Sequence, residues 1–365
     1  MTDGIPCMQL RGGSSKGAYF LRDDLPADPA ERDDLLLRIM GSPDARQVDG
    51  LGGGHPLTSK VAVVSRSGDP DADVDYLFLQ VVPDRPVVTD AQTCGNLLAG
   101  VGPFAIERGL VPAAGDTTTV RIRIVNPAVS LVEATVQTPG GRVRYDGGTV
   151  MAGTPFPAAP IHLAFPGGAN PVFPTGRVVD AFTGLEVTCV DAGMPVVLLR
   201  AGDLGIAGDE DPAVLEGDDA LRERVESVRL AAGAAMGLGD VRELTVPKMT
   251  IVAAPRHGGT VTTRTFIPHR VHAAIGVLGA VSVAVAVRTP GTVAPGSADT
   301  LVRVEHPTGT FDVAVDLDPD GAATRVRRTT VVRTARKLTD GLVWPRPAST
   351  RPANARPASI GEATG

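Results

Sequence analysis

The sequence predicts an α+β protein made of two similar halves, each a layer of short strands wrapped around one apolar helix. Three observations lead there. Glycine and proline supply 43 and 31 of the 365 residues, a density of turn formers that suits many short strands and not a helical bundle. Strand-like segments outnumber helical ones along the chain. The third is a degenerate internal repeat, in which an apolar helix is followed both times by a strand, a turn and a returning strand.

In chain order, the first helical signal is 29–40, with Leu35, Leu36, Ile39 and Met40 on one face. Segments 60–65, 75–82, 118–125 and 131–138 are β-branched or alternating, bounded by Gly, Pro or Asp, and read as strands. Within this series 95–108 reads as a helix, with apolar residues at 97, 98, 101, 104 and 105 and a Pro103 expected to kink or break it. Further on, 186–190, 196–200, 249–253, 261–267, 301–305, 310–315 and 328–333 read as strands, and 213–236 and 271–287 as helices. The last helix is apolar on every side and is expected to be enclosed by protein; it is shorter than the ~20 residues of a membrane span.

The helices at 95–108 and 271–287 head the two copies of the repeat. From Cys94 to Pro127 is 33 residues, and from His272 to Pro307 is 35. Neither half shows the strand–helix alternation of a doubly wound sheet. The Pro/Gly-rich stretch 153–176 marks the expected boundary, giving halves at 1–165 and 166–345, with the last strand free to return to the first half. The Pro/Ala/Ser/Thr repeat of 346–365 is expected to be a disordered tail.

A net charge of −6 argues against general affinity for nucleic acid or an anionic membrane. Three scattered cysteines do not make a disulfide framework and suggest a reducing compartment. The N-terminus MTDGIPCMQLRGG has no basic region leading into an apolar one, so the expected location is the cytoplasm. Among 35 basic residues only Lys16, Lys60, Lys248 and Lys337 are lysine, and the first three lie in unusual sequence.

Arg11-Gly-Gly-Ser-Ser-Lys16-Gly17 offers close backbone approach surrounded by donors from Arg11, Ser14, Ser15 and Lys16, which suits a carboxylate or phosphate. It is no Walker loop. Its formal Gly-x-Ser-x-Gly around Ser15 lacks the preceding sheet a nucleophile elbow needs, and a polar surface turn is the plain alternative. Asp49-Gly-Leu-Gly-Gly-Gly-His-Pro-Leu-Thr-Ser59-Lys60 leads into a strand, so it is not a dinucleotide fingerprint. Lys60 stands at the head of that apolar strand, where a partly desolvated amine becomes a usable acid or base; a solvent-facing strand-end lysine is the commoner case. Thr93-Cys94-Gly95-Asn96 opens the first apolar helix. Helix N-termini favour anions and thiolates, although a lone cysteine is more often buried and inert, as expected of Cys7 and Cys189. Lys248 and His269-Arg270-Val271-His272 precede the second apolar helix. His272 matches Cys94 in the repeat, so a second helix N-terminus is expected to face the first; without further ligands, His-x-x-His is not expected to bind metal.

Taken together, RGGSSKG, DGLGGGHPLTSKVAVV, CGNLLAGVGPFAIERGLV, PKMTIV and HAAIGVLGA resemble the PrpF-like isomerases over about residues 5 to 340. The resemblance implies the diaminopimelate-epimerase-like fold, with the active site between two pseudo-equivalent halves. It also implies an acid–base pair at Cys94 and Lys60, with no cofactor. Arg11, Ser14, Ser15, Lys16, Ser59, Gly95, Asn96, Lys248 and His272 are the expected substrate-binding residues. Diaminopimelate epimerases use two cysteines, and the His272-Ala-Ala found here departs from that. The His-Pro-Leu before Thr58-Ser59-Lys60 looks most like the 4-oxalomesaconate tautomerases. The implied reaction is an allylic proton shift on a small unsaturated tricarboxylic acid, in a chain that forms a homodimer. Isomerisation of a 2-methylaconitate-type acid is the alternative, followed by carboxylate binding without turnover and, more distantly, hydrolysis through Ser15.

Overall fold

The computed structural model describes residues 4–348 except 92, 128 and 169, so the tail expected at 346–365 lies outside the described residues from 349 onward. The first half contains β1 (Ile5–Gly12), β2 (Ser15–Leu21), α1 (Pro29–Met40), β3 (Lys60–Arg66), β4 (Val74–Val81), β5 (Val88–Thr89), α2 (Gly95–Glu107), β6 (Thr117–Ile124), β7 (Ser130–Gln137) and β8 (Pro160–Pro166). The second contains β9 (Asp180–Phe182), β10 (Leu185–Asp191), β11 (Pro195–Arg200), α3 (Pro212–Gly217), α4 (Asp219–Ala235), β12 (Lys248–Ala253), β13 (Val261–Phe266), α5 (Val277–Arg288), β14 (Leu301–His306), β15 (Gly309–Asp318) and β16 (Arg325–Val343).

The repeat is explicit in the pairing. β2 and β3 run parallel, β3 and β4 antiparallel, β4 and β6 parallel, and β6 and β7 antiparallel. The same succession recurs from β11 through β12, β13 and β14 to β15. Lys60 and Lys248 are therefore the first residues of corresponding strands, and α2 and α5 are corresponding helices. β16 pairs with β15 as far as Val331, with β8 over Arg328–Thr334 by register, and with β1 from Ala335 onward. That last pairing closes the first layer into a barrel around α2.

Burial explains the strand patterns. β3 and β4 are covered inside by α2 and outside by α1, whose Leu35, Leu36, Ile39 and Met40 pack on Phe20, Val61, Val63, Leu79 and Val81. Strands covered on both faces read as continuous apolar runs. β10, β11 and β12 are likewise held between α5 and α4. Among the described residues no helix covers β6 and β7 on the outside, and their burial alternates. α5 contains Val281, Val283, Val285 and Val287, poor helix formers, and is held by complete enclosure of residues 280–287.

Several expectations need correction. The helix expected at 271–287 begins only at Val277, with Gly276 as N-cap, so His272 is not at its terminus. Instead His272 N–H bonds Thr265 O, and its Nδ1 accepts from Ala274 N–H, a local turn that competes with helix. The helix expected at 213–236 is two helices, because Asp218 caps Leu221 N–H and restarts the chain as α4. α2 runs on through Pro103. The RGGSSKG segment is not a surface turn but the tip of the β1–β2 hairpin, and β16 is far longer than the expected 328–333.

Candidate active site

Lys60 and Cys94 meet. β3 places Lys60 at its first position and α2 takes Cys94 as its N-cap, and Lys60 Nζ lies 3.2 Å from Cys94 Sγ. Both residues are 8% exposed. Leu97 N–H also donates to Sγ, at 3.5 Å, so an amine and a helix N-terminus converge on one sulfur. Lys60 Nζ stands 5.4 Å from the centre of the Phe78 ring. Two buried phenols hold the helix terminus: Tyr19 donates to Leu97 O at 2.6 Å and Tyr76 to Cys94 O at 3.3 Å. Burial raises both phenols well above their ordinary pKa, with negative charge at Cys94 adding to it, so they act as fixed donors.

The strand head is braced from behind. Ser59 is fully buried; its hydroxyl donates to Val81 O and accepts from Gln47 Nε2 at 2.7 Å. It was expected to touch substrate, and the structure engages it inside the protein instead. Gln80 donates to Ser59 O at 2.8 Å and completes the brace. Gln47 and Gln80 were missed because nothing in their local sequence marks them.

The β1–β2 tip lies against the α2 terminus. A Cβ on Gly12 would stand 2.5 Å from Asn96 O, and Gly13, at φ +52°, adopts a left-handed turn against the Asn96 side chain. Asn96 Nδ2 donates to Ser14 Oγ at 3.1 Å. Arg11 Nη1 is engaged by the protein itself, bonding Gly13 O and both oxygens of Thr334. Ser15 Oγ is buried and has no partner among the described residues, so no base is engaged with it as a hydrolase nucleophile requires. Lys16 reaches over the glycine loop, 3.5 Å from where a Gly53 Cβ would be. Gly95 faces Val277, its own Cβ position 3.5 Å from Val277 Cγ2, so the N-termini of α2 and α5 oppose each other.

Lys248 and His272 lie together in the other half, and neither is joined to the Lys60–Cys94 pair by a hydrogen bond or ion pair among the described residues. Burial lowers the His272 pKa and Lys248 lowers it further; burial and then Arg229 lower that of Lys248. Lys337 instead forms an ion pair with Glu107, whereas Lys16, Lys60 and Lys248 have no carboxylate partner among the described residues. Cys7 and Cys189 are buried, and burial pushes both thiols up to about 12. No group of three or more His, Cys, Asp or Glu among the described residues could hold a metal ion. No helix there is long and apolar enough to cross a membrane.

Residues 2–346 match the family described as PrpF protein. The chain belongs to the PrpF family. Among PrpF relatives, the (4E)-oxalomesaconate Delta-isomerase of Novosphingobium sp. (strain KA1) is 54% identical over 352 residues, covering 94% of this chain and 98% of that one. The 4-oxalomesaconate tautomerase of Pseudomonas putida is 53% identical over 349 residues, covering 93% and 95%. A crystal structure of methylitaconate-delta-isomerase superposes with a TM-score of 0.84 at 32% identity, covering 93% of this chain and 95% of that one. The fold is accordingly the diaminopimelate-epimerase-like one, and this PrpF chain is an isomerase.

Proposed function

We propose that this PrpF protein isomerises 4-oxalomesaconate by a cofactor-independent allylic proton shift, with Lys60 and Cys94 as the acid–base pair. The observation that carries the reading is the buried 3.2 Å contact between Lys60 Nζ and Cys94 Sγ at the N-terminus of α2. One of the two removes an acidic C–H proton γ to a keto or carboxylate group, giving a dienolate; the other returns a proton elsewhere on the same frame. The helix terminus and neighbouring donors stabilise the developing negative charge. The 4-oxalomesaconate names of the relatives above 50% identity support this substrate over a 2-methylaconitate type.

Turnover of 4-oxalomesaconate and 2-methylaconitate side by side in deuterium oxide, followed by NMR, tests the reading. Deuterium entering the carbon frame only when the enzyme is active, with 4-oxalomesaconate preferred, is the expected result. Full activity in both Cys94→Ala and Lys60→Ala sinks the assigned roles. The same reading puts the enzyme in the cytoplasm as a homodimer, and analytical ultracentrifugation checks the assembly.

A further inference from the structure

Arg333 is a buried cation without a counter-ion among the described residues. It lies on β16 between Val331, the last residue paired with β15, and Ala335, the first paired with β1. This is where the strand passes from one half to the other. Arg333 is 4% exposed, and its guanidinium lies 3.9 Å from the centre of the Phe311 ring. Nη1 donates to Val332 O, Nε has no partner, and no carboxylate lies within ion-pair distance among the described residues. Burying a guanidinium this way is costly unless something anionic completes the site.

Chain segments next to Arg333 run to the β1–β2 and β14–β15 tips. The neighbouring Thr334 holds Arg11 and Gly13 of the β1–β2 tip, which packs on Asn96. On the other side Phe311 leads back to the β14–β15 tip, where Thr308 Oγ1 donates to Ala273 O at 2.9 Å. His306, 7% exposed, accepts from Thr308 N–H at Nδ1, and a hydrogen bond with the Thr310 backbone engages its ring as well. His272 Nδ1 accepts from Ala274 N–H, which puts its proton on Nε2. Burial pushes His306 down to about 4 against the raising effect of its hydrogen bond with the Thr310 backbone, and the nearby positive groups His272, Arg264 and Arg333 lower it further. Burial alone brings Arg333 to about 9. A second buried orphan, Ser15 Oγ, lies on the β1–β2 tip itself.

We infer that Arg333, with the Nε2–H group of His272, is the anchor for the substrate carboxylate remote from the carbons served by Lys60 and Cys94. The anchor rests on the polycarboxylate reading above, and it makes the enzyme prefer tricarboxylates to dicarboxylates.

The test uses Arg333→Met, which keeps most of the volume, and Arg333→Lys, read by steady-state kinetics with 4-oxalomesaconate and by calorimetric binding of two unreactive probes. Tricarballylate has three carboxylates and glutarate two. Expected for Arg333→Met are a KM raised about 100-fold with kcat changed far less, and tricarballylate binding weakened about as much while glutarate binding holds. Arg333→Lys recovers part of both. Unchanged KM and tricarballylate affinity in a folded Arg333→Met overturn the anchor. Should that variant not fold, Arg333→Lys and His272→Gln decide, and wild-type affinity in both overturns it. A wild-type enzyme that binds tricarballylate through Arg333 but does not turn over 4-oxalomesaconate removes the proposed substrate and leaves the anchor standing.

Discussion

At the head of β3 the first half carries Lys60, buried and touching the sulfur that caps α2; at the head of the matching β12 the second half carries Lys248, half-buried beside His272. α2 begins on Cys94, whose side chain accepts from the first turn, and α5 begins on Gly276, which offers no side chain. One topology, used twice, thus supplies a contacting lysine–cysteine pair in one copy and, among the described residues, basic groups without a carboxylate partner in the other. The difference teaches that a duplicated scaffold can divide its labour: opposed helix termini make one cleft, and each half equips its own wall.

The widest test of this division replaces the two corresponding lysines. Lys60→Ala, like Cys94→Ala, is expected to lower kcat by about 10²–10⁴-fold. Lys248→Ala should leave kcat within a few-fold and raise KM by about 10-fold, as loss of binding does. Equal kcat losses at the two lysines would erase the division. A smaller effect separates the two central helices. Gly100→Ala puts a Cβ 2.3 Å from the Tyr19 hydroxyl and should destabilise the protein by about 1–3 kcal/mol in a denaturant titration. Gly279→Ala meets only Ile275, at 3.9 Å, and should be neutral or stabilising by up to about 1 kcal/mol.

Acid should act on the second half through Glu305. This carboxylate is 2% exposed; burial pushes it up, but the Arg256, His257 and Gly259 N–H groups and Thr262 Oγ1 donate to it and hold it down at about 2. A depressed carboxylate contributes stability that is complete above its ordinary value near 4.5 and is lost as pH falls toward about 2. Melting temperatures measured across that window should fall less steeply for Glu305→Gln than for the wild type; parallel curves would exclude this clamp. The smallest expected effect is at the remaining lysine. Lys337→Met removes a partly exposed ion pair and should cost about 0–1 kcal/mol, with kcat/KM unchanged.

What was legible in the sequence was local. Lys60 and Cys94 stand in short, unusual segments beside clear strand and helix patterns, and the repeat preserved its order of elements. Arg333 and His306 were not legible, because each is an ordinary polar position in an alternating strand until a distant register buries it. The start of α5 was misjudged for a related reason: His272, Ala273 and Ala274 extend an apolar run, and Gly276 was the one local sign of a later start. The break at Asp218 did carry a signal, a Gly-Asp pair ahead of a fresh helical period. Ser59 shows the converse: its place in the motif was plain, but its direction depended on Gln47 and Val81.

The closure of the first barrel by β16 also bears on the order in which the chain can be made. β1 leaves the ribosome long before its partner in the final structure, residues 335–343. Until then β1 and β8 each lack the strand that joins them, and two open edges await a single stave. The N-terminal half is therefore not a module that can finish folding during synthesis and wait for its twin; the last strand of the described chain completes both walls of the cleft together.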